Sequence, residues 1–260
     1  MLCAVIVRTQ FPTEAHASIA QIVASYAHGI DGTDTVLLVN SCARGTAISE
    51  SDLDMAILVD EGLDTARMEA EWVRFANNDD QIQAFVERGP YSAVHIDFFS
   101  GQFEPQLWDD GGGPDDFEIE IGNRLQYSVP FDYMGPYFVQ LQARWLPYYD
   151  DELRCDRLMM AKDACLLDLE FIPFYLKRKL YLQAFDRLYK AFKEYLQALF
   201  ISKRTYPIAY NKWLHEQLEL IDEEQLYSIL LSILAMEDLT SSTLGKNAEL
   251  LRQLESEIRT

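Results

Sequence analysis

Along the first hundred residues the spacing of apolar positions changes period several times. Thr13 precedes EAHASIAQIVASYAHG, where Ile19, Ile22 and Val23 recur at helical spacing; Thr13 suits an N-cap and Gly29 a C-terminal stop. Two short apolar runs follow, Thr35 to Val39 and Leu53 to Val59, and their length and branched side chains predict buried strands. Residues 64–88 return to helical periodicity, and Ser92 to Phe99 (SAVHIDFF) predicts a third strand. From Gly101 to Asp116 Gly, Pro and Asp dominate, Gly111-Gly112-Gly113-Pro114 among them, which predicts a mobile loop. A Pro- and Tyr-rich stretch over 130–150 marks a boundary. Beyond Asp151 the period is helical almost to the end. Residues 153–172 and 176–201 form two long amphipathic segments, with Pro173 expected to break or kink the helix between them. Further helices are predicted after Pro207 and over 223–237 and 245–259, and there is no internal repeat. The pattern predicts an α+β chain, with a strand-containing domain over 1–145 and an all-α helical bundle over 146–260.

Composition narrows this picture. The chain has 260 residues of which 49% are apolar, so it folds around a core, and 12 Gly with 9 Pro excludes a fibrous architecture. No apolar run approaches the ~20 residues of a membrane span, and the opening MLCAVIVRTQ lacks the basic leader of a secretory signal. No membrane partner is expected, and the cytosol is the expected compartment. Cys3, Cys42, Cys155 and Cys165 form no C-x-x-C pair and have no nearby His, so packed free thiols are expected rather than a zinc site or a disulfide framework.

Charge changes the picture more than composition does. The formal net charge is −20. Residues 1–150 hold 7 Arg and no Lys against 24 acids, whereas 151–260 hold 15 basic residues against 18 acids. Between 177 and 212 the balance inverts, with nine basic residues facing Asp186 and Glu194. So negative a field repels polyanions and favours cations, which makes nucleic acid an unlikely partner and metal ions or cationic molecules natural ones.

The chemistry concentrates in Val39 to Val59, VNSCARGTAISESDLDMAILV. A buried strand enters a turn carrying Ser41, Arg44 and Gly45, and ten residues after Ser41 comes Ser51-Asp52-Leu53-Asp54. If 53–59 is a strand, Asp52 and Asp54 share one face about 6 to 7 Å apart along the backbone. Carboxylates so close repel unless a cation sits between them. Mg²⁺ takes hard oxygen ligands and is held by one or two carboxylates with substrate phosphates, and Mn²⁺ is the alternative. Asp97 is a charged residue inside an apolar strand, costly to bury without a purpose, and is placed to complete a metal site or to accept a proton. His95 shares its face; such a His ordinarily hydrogen-bonds at a strand edge, and here it also lines the pocket if Asp97 does.

Taken together, Ser41-Cys42-Ala43-Arg44-Gly45, Ser51-Asp52-Leu53-Asp54 and Asp97 resemble the Gly-Ser, Asp-x-Asp and third-carboxylate pattern of the nucleotidyltransferase superfamily, whose fold is that of the catalytic domain of DNA polymerase beta. The resemblance covers about 60 residues. It implies a mixed sheet with flanking helices, phosphate contacts at Ser41 with Ser51 beside it, Mg²⁺ held by Asp52 and Asp54, and Asp97 as metal ligand or base; Arg44 is either a solvated turn residue or a further contact to the triphosphate. The departure is Asn40, where the family usually has Gly. Asn is one of the few other residues that adopts positive φ at tolerable cost, so the turn is expected to survive.

The helical second half, with Lys203-Arg204-Thr205-Tyr206-Pro207 and then Tyr210, Lys212 and Trp213, resembles that of antibiotic-modifying nucleotidyltransferases. Since residues 1–150 contain no Lys, Lys203 and Arg204 are the expected cations for a triphosphate, the alternative being a solvated basic surface. The implied reaction moves a nucleoside monophosphate, in the first instance AMP from ATP, to a hydroxyl of a small acceptor, an aminoglycoside-like cation being one form of it. The competing classes are a protein-modifying or antitoxin-type nucleotidyltransferase and a nucleotide-binding regulatory module.

Overall fold

The computed structural model describes residues 11–106, 112–236 and 238–259. The chain divides into two compact units. One comprises residues up to Phe103 together with Ile121–Pro147, and the other Glu104–Glu120 together with Tyr148 onward.

In the first unit, α1 (Glu14–His28) begins where the Thr13 hydroxyl accepts the backbone N–H of His16, and Gly29 closes it. β1 (Thr33–Leu38) leads into α2 (Asn40–Arg44), a five-residue helix, and then β2 (Leu53–Val59). The helical period over 64–88 is divided in the fold into α3 (Thr65–Ala76) and α4 (Asp80–Val86). The division falls where Asp79 turns its carboxylate to the N–H groups of Gln81 and Ile82, so the side chain competes for backbone donors and starts a new helix. β3 (Val94–Phe99) follows. After α5 (Phe117–Ile121) the chain makes a π-helical turn over Gly122–Gln126, a two-residue strand β4 (Val129–Pro130) and α6 (Pro136–Trp145). Sequence periodicity misses α2, α5, the π turn and β4 because each is shorter than two helical turns or three strand residues.

The strands form one mixed sheet in the order β3-β2-β1-β4. β1 pairs antiparallel with β2 and with β4, whereas β2 and β3 run parallel, with Asp54 opposite His95 and Ala56 opposite Asp97. β2 is buried along its length except at Asp54. Ile19, Val23, Val36, Leu38, Met55, Ile57, Trp72, Phe85 and Phe98 form the core of this unit. The joint between β1 and α6 is polar: Asp34 accepts the N–H groups of Tyr137 and Phe138 at 3.0 Å each, and the Thr35 hydroxyl accepts that of Gly135 at 2.9 Å. Asp34 thereby satisfies the orphan donors at the start of α6.

The second unit is built on α7 (Asp151–Lys177) and α8 (Tyr181–Ser202), completed by α9 (Leu214–Leu220), α10 (Leu226–Leu234) and α11 (Ser241–Glu257). Leu158, Leu169, Ile172, Leu188, Phe192, Leu196 and Leu251 lie in its core. The break expected at Pro173 is displaced: α7 carries the proline within it and ends at Lys177. The turn comes at Lys179, at φ +58°, where the N–H groups of Lys179 and Leu180 bond back to the carbonyls of Leu176 and Tyr175. The helix predicted directly after Pro207 is shortened as well. Residues 208–213 stay non-helical because the Gln217 side chain takes the N–H groups of Ile208 and Ala209 and donates to the carbonyls of Ala209 and Lys212.

A buried charge network ties 104–120 to this unit. Arg157, on α7, meets Glu118 through Nε at 2.9 Å and a terminal nitrogen at 2.7 Å, and meets Asp115 at 3.0 and 2.5 Å. Gln197 on α8 donates to both carboxylates, and the Tyr149 hydroxyl donates to Glu118. Removing one partner of such a buried network costs about 3–5 kcal/mol because the others keep their charge without compensation. Residues 107–111 of the loop predicted to be mobile lie outside the described residues; Pro114 and Asp115 in the rest of it are half-buried, and Asp115 is engaged in this network. Among the described residues no helix is long and apolar enough to cross a membrane, and Cys42, Cys155 and Cys165 are free thiols. Cys3 lies outside the described residues.

Gly135 is needed for close approach. A Cβ there would collide with the carboxylate and the carbonyl of Asp34, two backbone-proximal groups that cannot swing aside without releasing α6. Gly135→Ala is expected to destabilise the protein by about 1–3 kcal/mol, the usual cost of overpacking, read as a lower midpoint in urea with an unchanged slope. An unchanged midpoint would show that the β1–α6 joint yields freely.

Candidate functional site

The parallel pairing of β2 and β3 builds the site. Asp52 precedes β2 and Asp54 lies on it, directly opposite His95 on β3. One ligand atom from each of Asp52, Asp54 and His95 lies within 4.8 Å of the others, and His95 Nε2 is 3.7 Å from an Asp52 oxygen. Both aspartates are half-buried and His95 is exposed, so the cluster opens to solvent on one side. The donor set of two carboxylates and one imidazole fits a divalent cation. Carboxylates suit Mg²⁺ and Mn²⁺, and an imidazole in the set favours the softer of the two.

The supports of this cluster are built into the neighbouring elements. Val39 N–H donates to the Asp54 carbonyl at 3.1 Å, and Leu53 N–H to the Ala93 carbonyl at 2.9 Å, which fixes the strand ends on either side. The Ser51–Asp52 loop is held from α1. His16, fully buried, places one ring nitrogen 2.8 Å from the Thr13 hydroxyl and the other 2.9 Å from the Ser51 carbonyl, and packs edge-on against Phe85. The Ser51 hydroxyl accepts the Ile48 N–H at 3.0 Å and so closes the loop on itself. His16 carried no signal in the sequence, where it reads as one polar position on an amphipathic helix.

Ser41 sits in α2, next to the turn that leads out of β1, and its carbonyl accepts the N–H of Thr46 at 3.0 Å. Asn40 adopts φ +54°, in the left-handed region that Asn tolerates, so the turn expected there forms. Gly45, at φ +72°, ends the helix, and Arg44 is half-buried in its last turn.

Asp97 stands on the same face of β3 as His95, two residues further along, opposite the small Ala56. Its carboxylate pairs with Arg124 at 3.0 Å, and the Arg124 guanidinium lies over the Phe99 ring. Arg124 projects from the π-helical turn, a local underwinding that often marks functional positions. The residues whose donor atoms converge are therefore Asp52, Asp54 and His95, with Asp97 beside them and held by a cation. In the second unit Lys203 pairs with Glu223 and Arg204 with Asp151.

Cys42 reports the local field. It is buried against the Asp52 carbonyl, and its thiol is pushed up to about 12, first by burial and then by the charges of Asp54 and Asp52.

No protein-family model matches the chain, and no curated protein matches it. Among solved structures it is similar to a nucleotidyltransferase-like protein from Exiguobacterium sibiricum 255-15, with a TM-score of 0.46 and 11% identity over 93% of this chain and 74% of that one. Likeness at this level leaves the function to the residues of the chain itself.

A thiol with so high a pKa is a poor nucleophile. Brief treatment with iodoacetamide at pH 8 is expected to alkylate the exposed Cys155 and leave Cys42 and Cys165 unmodified by peptide mass. Modification of Cys42 at a rate like that of Cys155 would mean that the acidic cluster and the burial around it do not persist in solution.

Proposed function

We propose that the chain is a metal-dependent nucleotidyltransferase that moves a nucleoside monophosphate from a nucleoside triphosphate, ATP in the first instance, to a hydroxyl of a small acceptor. The observation that carries this reading is the convergence of Asp52, Asp54 and His95 beside a left-handed turn at Asn40 and a short helix bearing Ser41. The motif resemblance in the same residues supports it. Asp52 and Asp54, with His95, would hold Mg²⁺ or Mn²⁺; when bound, the ion supplies neutralisation of the triphosphate and of the pyrophosphate that leaves.

The chain's own residues supply the rest. Ser41, Arg44 and Ser51 are the proposed contacts for the nucleotide. The acceptor oxygen forms a bond to the α-phosphorus while the bond from that phosphorus to the bridging oxygen breaks, pyrophosphate carries away the electron pair, and the acceptor's proton passes to Asp97. Arg124, paired with the Asp97 carboxylate at 3.0 Å, holds it in place. The excess of acids over basic residues in 1–150 favours a cationic acceptor, such as a hydroxyl-bearing polyamine or an aminocyclitol.

Incubation with Mg²⁺ or Mn²⁺, ATP labelled at the α-phosphate and a panel of hydroxyl-bearing amines tests the activity, with pyrophosphate release as the readout. Asp54→Asn is expected to abolish release and to weaken Mn²⁺ binding, followed by the loss of free-ion paramagnetic signal, at least tenfold, while the protein stays folded. His95→Ala should weaken Mn²⁺ more than Mg²⁺, because only the softer ion gains from an imidazole. Full release by Asp54→Asn would refute the reading.

Asp97 separates from the metal cluster in the same assay. If it accepts the proton, Asp97→Ala lowers kcat by roughly 100-fold or more and leaves Mn²⁺ affinity nearly unchanged. Parallel loss of both would instead make it a ligand.

A further inference from the structure

The second unit contains a cavity of about 160 Å³ lined by Gln106, Pro114, Asp115, Met160, Ala164 and Glu194, among others. Glu194, on α8, is 1% exposed, and neither of its carboxylate oxygens has a hydrogen-bond partner. A buried carboxylate without partners is costly and rare. The other acid on the wall is fully committed: Asp115 holds Arg157, Gln197 and the Gln106 N–H. None of the cations of α8 hydrogen-bonds Glu194: Arg187 pairs with Asp168, Lys190 with Asp186 at 2.9 Å, and Lys193, whose ammonium lies beside Gly113 at the cavity wall, sits over the Tyr189 ring. Among the described residues, Glu194 is thus the one ionisable group lining the cavity whose hydrogen-bond partner is not accounted for.

We propose that this cavity is a binding site for a small primary ammonium compound, with Glu194 as the counter-charge for its nitrogen. The wall chooses the class of ligand. One uncommitted carboxylate balances one positive charge, while Mg²⁺ or Ca²⁺ would need several hard oxygens. Met160, Ala161, Ala164 and Pro114 offer thioether and hydrocarbon surface for a short alkyl body. The volume equals that of about five waters at ~30 Å³ each, enough for a chain of a few carbons. The site lies within the second unit and does not depend on the proposed activity.

The proton balance gives the site a signature. Glu194 is pushed up to about 8, by burial first and by the charge of Asp168 second, with Lys193, Arg187 and Lys190 pulling it down. The other titratable groups around it are Cys165 on α7, whose thiol is itself raised by burial, and Asp115 across the cavity. Burial and the neighbouring Asp168 favour the protonated carboxyl near neutral pH, so an ammonium ion that binds there displaces that proton. Without ligand the sign is also set. A carboxyl whose folded pKa is raised favours folding fully below its ordinary value near 4.5 and loses that contribution as pH rises toward 8.

Calorimetric titration of n-propylammonium chloride into the full chain at pH 7, in two buffers of different ionisation enthalpy, tests the proposal. Saturable binding with release of nearly one proton is expected, n-propanol should not bind, and Glu194→Gln should weaken binding about tenfold or more, as loss of a charged hydrogen bond does. That variant removes a buried charge at constant shape, so it should fold and should flatten the fall in melting temperature between pH 5 and 8. Equal binding by the variant, equal binding of n-propanol, absence of saturable binding, or Mg²⁺ binding that the variant abolishes would each overturn it.

Discussion

The register between β2 and its two neighbours is the constraint on which the first unit rests. β2 is a central strand, antiparallel to β1 and parallel to β3, and its residues alternate between core and site: Met55 and Ile57 enter the hydrophobic cluster while Asp54 faces the other way toward His95. A slip of one residue would exchange the two faces of the strand, setting Ala56 and Leu58 where Met55 and Ile57 pack and turning the carboxylate into the core. Each large apolar side chain on the strand contributes about 1.5–3 kcal/mol by burial, so several of them oppose that slip together. The same hydrophobic energy that folds the sheet thereby brings two like charges close to each other, an arrangement that neither carboxylate would adopt alone in water.

Much of this was legible from the chain. β2 and β3 are short apolar runs interrupted by Asp54 and by His95 and Asp97, and period-two alternation places those polar positions on one face. The left-handed turn at Asn40 was expected from the motif resemblance together with the tolerance of Asn for positive φ. What alternation cannot give is the stagger between two strands. It was the parallel register, pairing Asp54 with His95 and Asp97 with Ala56, that grouped the histidine with the acid pair.

Other features carry no local signal. Arg124 occupies a π-helical turn that has no period to detect, and His16 reaches the Ser51 carbonyl across 35 residues of chain. Pro173 misled in the opposite direction: a strong local breaker was overruled because α7 has a continuous apolar face on either side of it, and the chain turns instead where Lys179 takes positive φ. Glu194 sits in EYLQALFI, a run whose apolar neighbours hide the one buried acid, and only the packing of α8 reveals that it has been left without a partner.

The tie between Arg157 and the 104–120 segment has a consequence for how the chain is made. Asp115 and Glu118 emerge in synthesis well before Arg157, and Gln197 later still. The first unit is complete once residue 147 is available, yet the stretch 104–120 inside it belongs to helices not yet synthesised. During that interval Asp115 and Glu118 lack the guanidinium that compensates their charge in the fold. Only when α7 arrives can the guanidinium bind them, so the anchor of the second core closes after every residue of the first unit is already present.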